Sequence, residues 1–245
     1  MSDLEQLDAA WARSPPARAL REGVLVGVFS PLMDIYTRRR VLGREHFDGL
    51  RAPVLFVANH SSHMDTPAIL RALPRPWRRR TVVAAAADYF YAKRRLGWPV
   101  SLFFGTVPMA RDGRGLDEDS TAHIDKLFQD GWSLVMFAEG TRSRDGSAGK
   151  LHAGAAVLAA QSGLALMPIY VSGTHEVMPV GRYWMRLPSG RPIPRRRPID
   201  IRFGAPIRAD DTEHRHDVME RVRVFFEASG EDSTPDDRVA EPSSP

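Results

Sequence analysis

Short apolar runs alternate with amphipathic stretches from about residue 53 onward. This alternation is typical of a buried sheet whose strands are joined by crossover helices. It predicts strands at 54–58, 81–86, 106–110, 133–138, 166–171 and 199–203, and helices near 66–73, 118–130, 154–162 and 215–228. The expected fold is α/β, a single domain with a mostly parallel sheet flanked by helices. Residues 174–198, rich in Pro and Arg, are expected to be a long surface excursion.

Both ends of the chain depart from this pattern. An apolar run at 24–33, broken by Ser30 and Pro31, predicts an amphipathic helical segment at 1–40. Its flanking arginines (Arg18, Arg21, Arg38, Arg39 and Arg40) suit a segment at a membrane interface, and packing on the domain that follows is the alternative. From residue 229 the Ser, Pro, Asp and Glu content predicts disorder. We therefore expect a folded domain at 41–228 and a disordered acidic tail at 229–245.

Composition narrows the class of protein. The chain has 245 residues, 43% hydrophobic and 26% charged, which is typical of a soluble globular protein. It has no cysteine, which excludes disulfides and thiolate chemistry. Residues 227–245 hold six acids and one base, so the net charge of +4 becomes +9 on residues 1–226. A basic body predicts an anionic partner. No apolar stretch of about 18 residues is present, so we expect no transmembrane helix.

The first polar cluster directly follows the strand predicted at 54–58. At about 100° per residue, a continuous helix would separate the side chains of His60 and Asp65 by about 140°. Thr66 as N-cap and Pro67 as the first helical residue instead predict a turn that folds the carboxylate back onto the imidazole. Alternatively, Ser62 caps the helix with Asp65 as its capping-box partner, which gives Asp65 a structural role.

A histidine oriented by an aspartate is a general base, because the carboxylate fixes the tautomer and stabilises the imidazolium. No Gly-x-Ser-x-Gly elbow accompanies the pair, so a serine hydrolase lacks its usual signature. His60, His63 and Asp65 could also ligate a metal, but their spacing matches no zinc-protease pattern. We expect no metal and no cofactor.

Three further segments carry weaker signals. Glu139, Gly140, Thr141, Arg142 and Ser143 follow a predicted strand and offer a flexible backbone, hydroxyls and a guanidinium suited to phosphate. Arg111 ends another strand. Pro168 interrupts the strand predicted at 166–171, which indicates an edge or a bulge.

Together and in this order, the segments resemble the motifs of the glycerolipid acyltransferases, the lysophosphatidic acid and glycerol-3-phosphate acyltransferases. His60 to Asp65 fits their His-x4-Asp motif, and residues 139–142 resemble their Glu-Gly-Thr-Arg block. Arg111 and Pro168 fall where the other two blocks have an arginine and a proline. Two departures are Ala138, where a proline is common, and His152, where many members have lysine.

The resemblance implies a membrane-associated enzyme that moves a fatty acyl group from acyl-CoA or acyl carrier protein to a lipid hydroxyl. His60 would deprotonate the acceptor and Asp65 would orient His60. The substrate-binding residues would be Arg111, Glu139, Gly140, Thr141, Arg142 and Pro168, with Glu139 orienting Arg142 or an acceptor hydroxyl rather than meeting the phosphate itself.

The expected acceptor is a lysophospholipid, 1-acylglycerol-3-phosphate, in phospholipid biosynthesis. Glycerol-3-phosphate or another lipid hydroxyl, a thioesterase and a non-catalytic module that binds anionic lipid are the alternatives. Arginine runs at 38–40, 78–80 and 195–197 come without any recognition element for nucleic acid. We expect a cytoplasmic protein, peripheral on the inner face of the membrane, with the anionic membrane surface as a partner and no nucleic acid.

Overall fold

The protein is described here from a computed structural model, which covers residues 8–86, 101–109, 118–140, 151–182, 184–186, 196–208 and 215–232. Before the sheet, a short 3-10 helix (Ala10–Arg13) leads into helix α1 (Pro15–Val24), a π-helical turn (Leu25–Phe29) and helix α2 (Ser30–Tyr36). Pro15 and Pro16 occupy the first turn of α1, where an N–H has no intrahelical partner to lose. Pro31 instead follows the π-helical turn without a break in the helical backbone, so it lacks an N–H that would have continued the helix. The expected N-terminal helical segment is present.

The described residues form one seven-stranded sheet in the order β1-β7-β6-β2-β5-β3-β4. Its strands are β1 (Thr37–Leu42), β2 (Leu55–Ala58), β3 (Thr81–Ala86), β4 (Thr106–Met109), β5 (Ser133–Phe137), β6 (Leu166–Ser172) and β7 (Arg197–Phe203). All neighbouring pairs are parallel except β6 and β7, which are antiparallel. The expectation of a mostly parallel sheet is confirmed.

Helices cover both faces of this sheet. They are α3 (Asp65–Ala72), α4 (Arg75–Arg78), α5 (Glu118–Gln129), α6 (Gly154–Gln161), α7 (Thr174–Val177) and α8 (Arg215–Glu231). Successive strand residues point to opposite faces. Phe56 of β2 accordingly packs in one apolar core with Ile69 of α3, whereas Leu55 packs in the other with Phe226 of α8. Burial on both faces explains why the central strands are continuous apolar runs.

The first strand crosses the boundary drawn at residue 40. β1 begins at Thr37 and runs parallel to β7, with Arg40 opposite Asp200 and bonded to its carboxylate. Arg38 to Arg40 therefore lie in the sheet and do not flank a free helical segment. This strand is not among those predicted from the sequence, because three consecutive arginines hide the alternation of an edge strand. At the other end, α8 continues to Glu231, beyond the expected boundary at 228.

One face of the N-terminal segment packs on the body of the protein. The buried guanidinium of Arg21 donates from Nε to the Leu102 carbonyl (2.8 Å) and from Nη2 to the Ala12 carbonyl (2.7 Å). Burial, and then the charges of Arg13 and Arg18, lower the pKa of Arg21 to about 10. Gly105, with φ of 64°, leaves room for this side chain, because a Cβ there would lie 2.8 Å from Nη1.

The opposite face of the segment is exposed and apolar. Leu20, Val28 and Ile35 are 52%, 58% and 61% exposed. Packing on the domain, one of the two alternatives for residues 18–40, is therefore observed for one face, and contact of the exposed face with a membrane interface stays a prediction. Within the described residues no helix is long and apolar enough to cross a bilayer.

Pro168 lies in β6, between β7 and β2, so the expectation of an edge strand is wrong. An irregularity is nevertheless present beside it. Between the pairs Ile169 with Phe203 and Leu166 with Ile207, two residues of β6 face three of the chain that follows β7. Residues two apart in a strand direct their N–H groups to the same side. Leu166 donates its N–H to the Ile207 carbonyl. The N–H that Pro168 lacks would therefore point to the same neighbouring chain, at the place where the regular pairing is interrupted.

Candidate active site

The turn between β2 and α3, residues 59–64, lies at the carboxyl end of the sheet, where open α/β sheets place their ligands. Asn59 anchors its start: Nδ2 donates to the Val171 carbonyl (2.9 Å), and Oδ1 accepts the Val171 N–H (2.7 Å). The side chain thereby continues the β2 to β6 ladder beyond the last residue of β2. This contact fixes where His60 leaves the sheet.

His60 and Asp65 meet across the turn. Nδ1 of His60 lies 2.9 Å from Oδ2 of Asp65, and the Asp65 side chain is fully buried. The expected turn that folds the carboxylate onto the imidazole is therefore present. The His60 side chain is 18% exposed. Because an ionised carboxylate only accepts hydrogen bonds, Nδ1 carries the proton and Nε2 keeps its lone pair.

Asp65 also organises the backbone of the turn. Oδ2 accepts the N–H groups of Ser61 (2.7 Å) and Ser62 (2.8 Å), the second of which is the contact expected of a capping box. The helix begins at Asp65 itself, with Met64 as the N-cap, rather than at Pro67. The structural and the orienting roles, posed as alternatives from the sequence, belong to the same carboxylate.

Helix α7 holds this turn from the end of β6. The Thr174 hydroxyl donates to Oδ1 of Asp65 at 2.5 Å and lies 3.2 Å from Oγ of Ser61. Nδ1 of His175 lies 3.3 Å from the Ser61 carbonyl, and the Ser62 hydroxyl donates to the Met178 carbonyl at 2.7 Å. The turn is thus bonded to three residues of the 174–178 segment.

The end of β5 forms the other wall. The Phe137 ring stacks on the His60 imidazole with centroids 3.9 Å apart and planes at 21°. Oε1 of Glu139 accepts the backbone N–H of His60 (3.2 Å) in a buried position. Burial, and then the Glu139 carboxylate, raise the pKa of Tyr170, while Arg202 partly offsets them. Because its carboxylate accepts the His60 N–H, Glu139 helps to hold the His60 backbone, a contact not foreseen from the sequence.

Gly140 turns the chain after β5 with φ of 65°, in the left-handed region that favours glycine. A Cβ at this position would lie 3.5 Å from Cδ2 of His152. The His152 N–H also donates to the Ala138 carbonyl at 2.8 Å. The histidine that stands at the family's lysine position thus lies beside Gly140.

Of the expected site residues, the structure brings His60, Asp65, Glu139 and Gly140 to one end of the sheet. Pro168 is not among them: it is buried within β6, in register with Val57, and packs against Gly204. A substrate-binding role for Pro168 is therefore not supported by its position. Arg111, Thr141 and Arg142 lie outside the described residues.

The hydrogen bonds of Asp65 also bear on metal binding. Oδ2 faces three N–H donors and Oδ1 faces the Thr174 hydroxyl. Lone pairs that accept these protons are not available to a cation. Across the described ranges, no cluster of three or more His, Asp, Glu or Cys side chains is arranged to hold a metal ion.

The arrangement can carry out general base chemistry. The carboxylate orients an imidazole whose Nε2 is left to accept a proton, and its negative charge stabilises the resulting imidazolium. Stacking on Phe137 restrains the ring further. A hydroxyl that reaches Nε2 would be activated as a nucleophile.

Comparison with known proteins agrees with this chemistry. The Acyltransferase family model matches residues 38–172. The chloroplastic 1-acyl-sn-glycerol-3-phosphate acyltransferase LPAT1 of Arabidopsis thaliana is 31% identical over 139 residues, covering 57% of this chain and 37% of that protein. A 1-acyl-sn-glycerol-3-phosphate acyltransferase of Cocos nucifera is 26% identical over 207 residues, covering 81% and 60%. The chain matches less than half the length of the Arabidopsis protein and of the similar acyltransferases from Brassica napus and Chlamydomonas reinhardtii.

The fold also has a solved counterpart. The crystal structure of the 1-acyl-sn-glycerophosphate acyltransferase PlsC from Thermotoga maritima superposes with a TM-score of 0.60 at 21% identity, covering 85% of this chain and 81% of that one. At this identity the likeness concerns the fold alone. Because the family match extends over more than half of the sequence and includes the whole 59–65 turn, the chain belongs to the glycerolipid acyltransferase family.

Proposed function

We propose that this protein transfers a fatty acyl group from a thioester, acyl-CoA or acyl carrier protein, to the hydroxyl of 1-acylglycerol-3-phosphate. The observation that carries the proposal is the His60 to Asp65 pair, a buried carboxylate 2.9 Å from an imidazole with an accessible edge. Family membership supplies the reaction class.

The reaction needs no covalent enzyme intermediate. Nε2 of His60 takes the proton of the acceptor hydroxyl while the hydroxyl oxygen bonds to the thioester carbonyl carbon. The carbon–sulfur bond then breaks, and the departing thiolate takes the proton back from the imidazolium. Asp65 stabilises the charged imidazole between these two transfers.

The acceptor assignment rests on the names of the relatives and on the two arginines of the motif blocks. Arg111 and Arg142 are assigned to the acceptor phosphate, because guanidinium and phosphate form charge-assisted, often bidentate hydrogen bonds. Glycerol-3-phosphate is the competing acceptor, since it offers the same phosphate without an acyl chain.

A single assay separates the candidate activities. The protein is incubated with a long-chain acyl-CoA, or the matching acyl carrier protein thioester. Parallel reactions contain 1-acylglycerol-3-phosphate, glycerol-3-phosphate or no acceptor, and the products are identified by mass spectrometry. We expect phosphatidic acid and free thiol only when the acceptor is present, and neither with His60→Ala.

Other outcomes contradict the proposal in distinct ways. Thiol release without acceptor indicates a thioesterase, and product from glycerol-3-phosphate alone indicates the competing acceptor. No turnover of any thioester, together with retained binding to anionic lipid, indicates a non-catalytic module.

We further propose that the enzyme works on the anionic membrane surface, at the cytoplasmic face. The proposed contact with the membrane is the exposed apolar face of α1 and α2. A membrane contact is expected because the lipid substrates of the proposed reaction reside in the bilayer. Trp184, 60% exposed and with Nε1 3.4 Å from the Tyr36 hydroxyl, extends this face towards the segment that follows α7.

A further inference from the structure

We infer that Thr174 is a positioning residue for the His60 to Asp65 pair. The inference rests on the proposed function, because positioning matters only if His60 acts as a base. Thr174 lies 109 positions after Asp65 in the sequence and reaches it from the first residue of α7.

The two oxygens of Asp65 have very different surroundings. Oδ2 faces the imidazole of His60 and the N–H groups of Ser61 and Ser62. Among the described residues, the donor that the structure places on Oδ1 is the Thr174 hydroxyl, at 2.5 Å. Both Asp65 and Thr174 are completely buried. The hydroxyl therefore compensates the second half of a carboxylate that water does not reach.

The direction of the hydrogen bonds follows from proton counting. An ionised carboxylate cannot donate, so the single hydroxyl proton of Thr174 points to Oδ1. The Ser61 hydroxyl, 3.2 Å away, must then donate to Oγ1 of Thr174. Ser61 is thus linked to the same carboxylate in two ways. Its N–H donates directly to Oδ2, and its hydroxyl donates to the Thr174 hydroxyl, which in turn donates to Oδ1. Chained hydrogen bonds of this kind strengthen one another in a buried site.

Removal of the Thr174 hydroxyl should leave the substrate-facing groups in place but impair the pair. Oδ1 would become a buried, uncompensated acceptor, which disfavours the negative charge on Asp65. Without this contact the carboxylate is no longer held in the position that orients the His60 ring, so turnover should fall. The acid limb of the pH profile should also move to higher pH, because a carboxylate that has lost a hydrogen-bond donor attracts the imidazolium proton more strongly.

The experiment compares three variants. Thr174→Val keeps the branched shape without the hydroxyl, and Thr174→Ser restores the hydroxyl. Thr81→Val is the matched control, since Thr81 is equally buried and its hydroxyl donates to the Trp77 carbonyl (2.8 Å) away from the site. We expect Thr174→Val to lower kcat about 10- to 100-fold with little change in KM. Thr174→Ser should recover most of this loss, and Thr81→Val should lower the melting temperature without lowering kcat per folded molecule.

A second readout does not depend on turnover. Ring signals of His60 are followed by NMR against pH, and are assigned by their loss in His60→Ala. The titration midpoint should move to higher pH in Thr174→Val and return towards the wild-type midpoint in Thr174→Ser. An unchanged midpoint in Thr174→Val, or a kcat loss that Thr81→Val reproduces, would overturn the inference. If wild-type protein turns over no thioester but the midpoint still moves, the positioning contact stands and the proposed function fails.

Discussion

At the scale of single residues, His60 is the group on which the proposed chemistry depends. We predict that His60→Ala lowers kcat by about 10²- to 10⁴-fold, as loss of a general base does. The matched control is His63→Ala, three residues away in the same turn. Turnover is measured on protein whose melting curve shows a folded state. If His63→Ala is as damaging and chelators also stop the reaction, a metal site replaces the general base.

Asp65→Asn tests the charge separately from the shape. The amide oxygen can take the position of Oδ2 and accept the same N–H donors, while its NH₂ group donates to Oγ1 of Thr174, whose own proton turns to Ser61. The fold should therefore survive, but the imidazolium loses its counter-charge, and kcat should fall by up to about 10⁴-fold. Thermal unfolding and kinetics are compared side by side. Unfolding with normal kcat per folded molecule would make the backbone contacts the sole role of Asp65.

Arg111 and Arg142 are predicted to bind the acceptor phosphate. Arg111→Ala and Arg142→Ala should each raise the KM for 1-acylglycerol-3-phosphate more than the KM for acyl-CoA, and Arg142→Lys should rescue poorly because lysine lacks the bidentate fork. Kinetics with both substrates varied give the comparison. Equal effects on the two KM values, or full activity with a phosphate-free acceptor, would contradict the assignment.

The sequence reveals those site residues whose contacts are local. His60 and Asp65 are close along the chain, so their spacing and the turn residues between them predict that they meet. Phe137 and Thr174 also contact this pair, but they come from β5 and from α7. Their side chains carry no chemical signal of their own. The sheet order that brings three strand ends together had to be known before either could be found.

At the scale of secondary structure, strands with a local sequence signal are predicted correctly, whereas a strand that depends on distant partners is missed. The central strands are apolar runs because both faces are buried, and five of the expected strands match the observed ones within about one residue at each described end. β1 is half exposed at the sheet edge, and its arginines find partners such as Asp200 only after β7 is in place. Pro168 indicates an edge strand or a bulge; β6 is an interior strand, and the missing N–H faces a local irregularity in its pairing with the chain that follows β7.

Glu139 links two elements, the end of β5 and the start of the turn after β2. Because Oε1 accepts the His60 N–H, Glu139→Gln keeps an acceptor and should retain most of kcat, whereas Glu139→Ala should lose about tenfold. Steady-state kinetics of both variants decide the point. A large rise in acceptor KM for Glu139→Gln would instead support the sequence-based role, in which the carboxylate charge orients Arg142.

At the scale of the whole molecule, the arginines around the N-terminal segment have separate tasks. Arg21 is buried against backbone carbonyls, Arg40 bonds to Asp200, and burial lowers the pKa of Arg39. Arg38 is exposed in β1. Burial of Arg21 and the ion pair between the exposed Arg40 and Asp200 therefore reduce the positive charge that this segment presents outward. Deleting residues 1–40 would also remove most of β1, so point substitutions are the sharper test of membrane contact.

We predict that the combined substitution of Leu20, Val28 and Ile35 by serine strongly reduces sedimentation with vesicles of anionic and neutral lipid, because these residues carry much of the exposed apolar area of the segment. Val224→Ser is the control, since Val224 is 53% exposed on α8.

Salt of about 1 M shortens the Debye length to about 3 Å, so it should remove the preference for anionic vesicles and leave the apolar share of the binding. A triple variant that binds as wild type would assign this face to another partner, and loss of self-association in that variant would identify a second copy of the chain. Activity on monomeric, short-chain acceptor should survive the substitutions, because the hydrogen bonds that hold the His60 turn come from β6, Glu139 and the 174–178 segment. Activity on vesicle-borne acceptor should instead fall with binding.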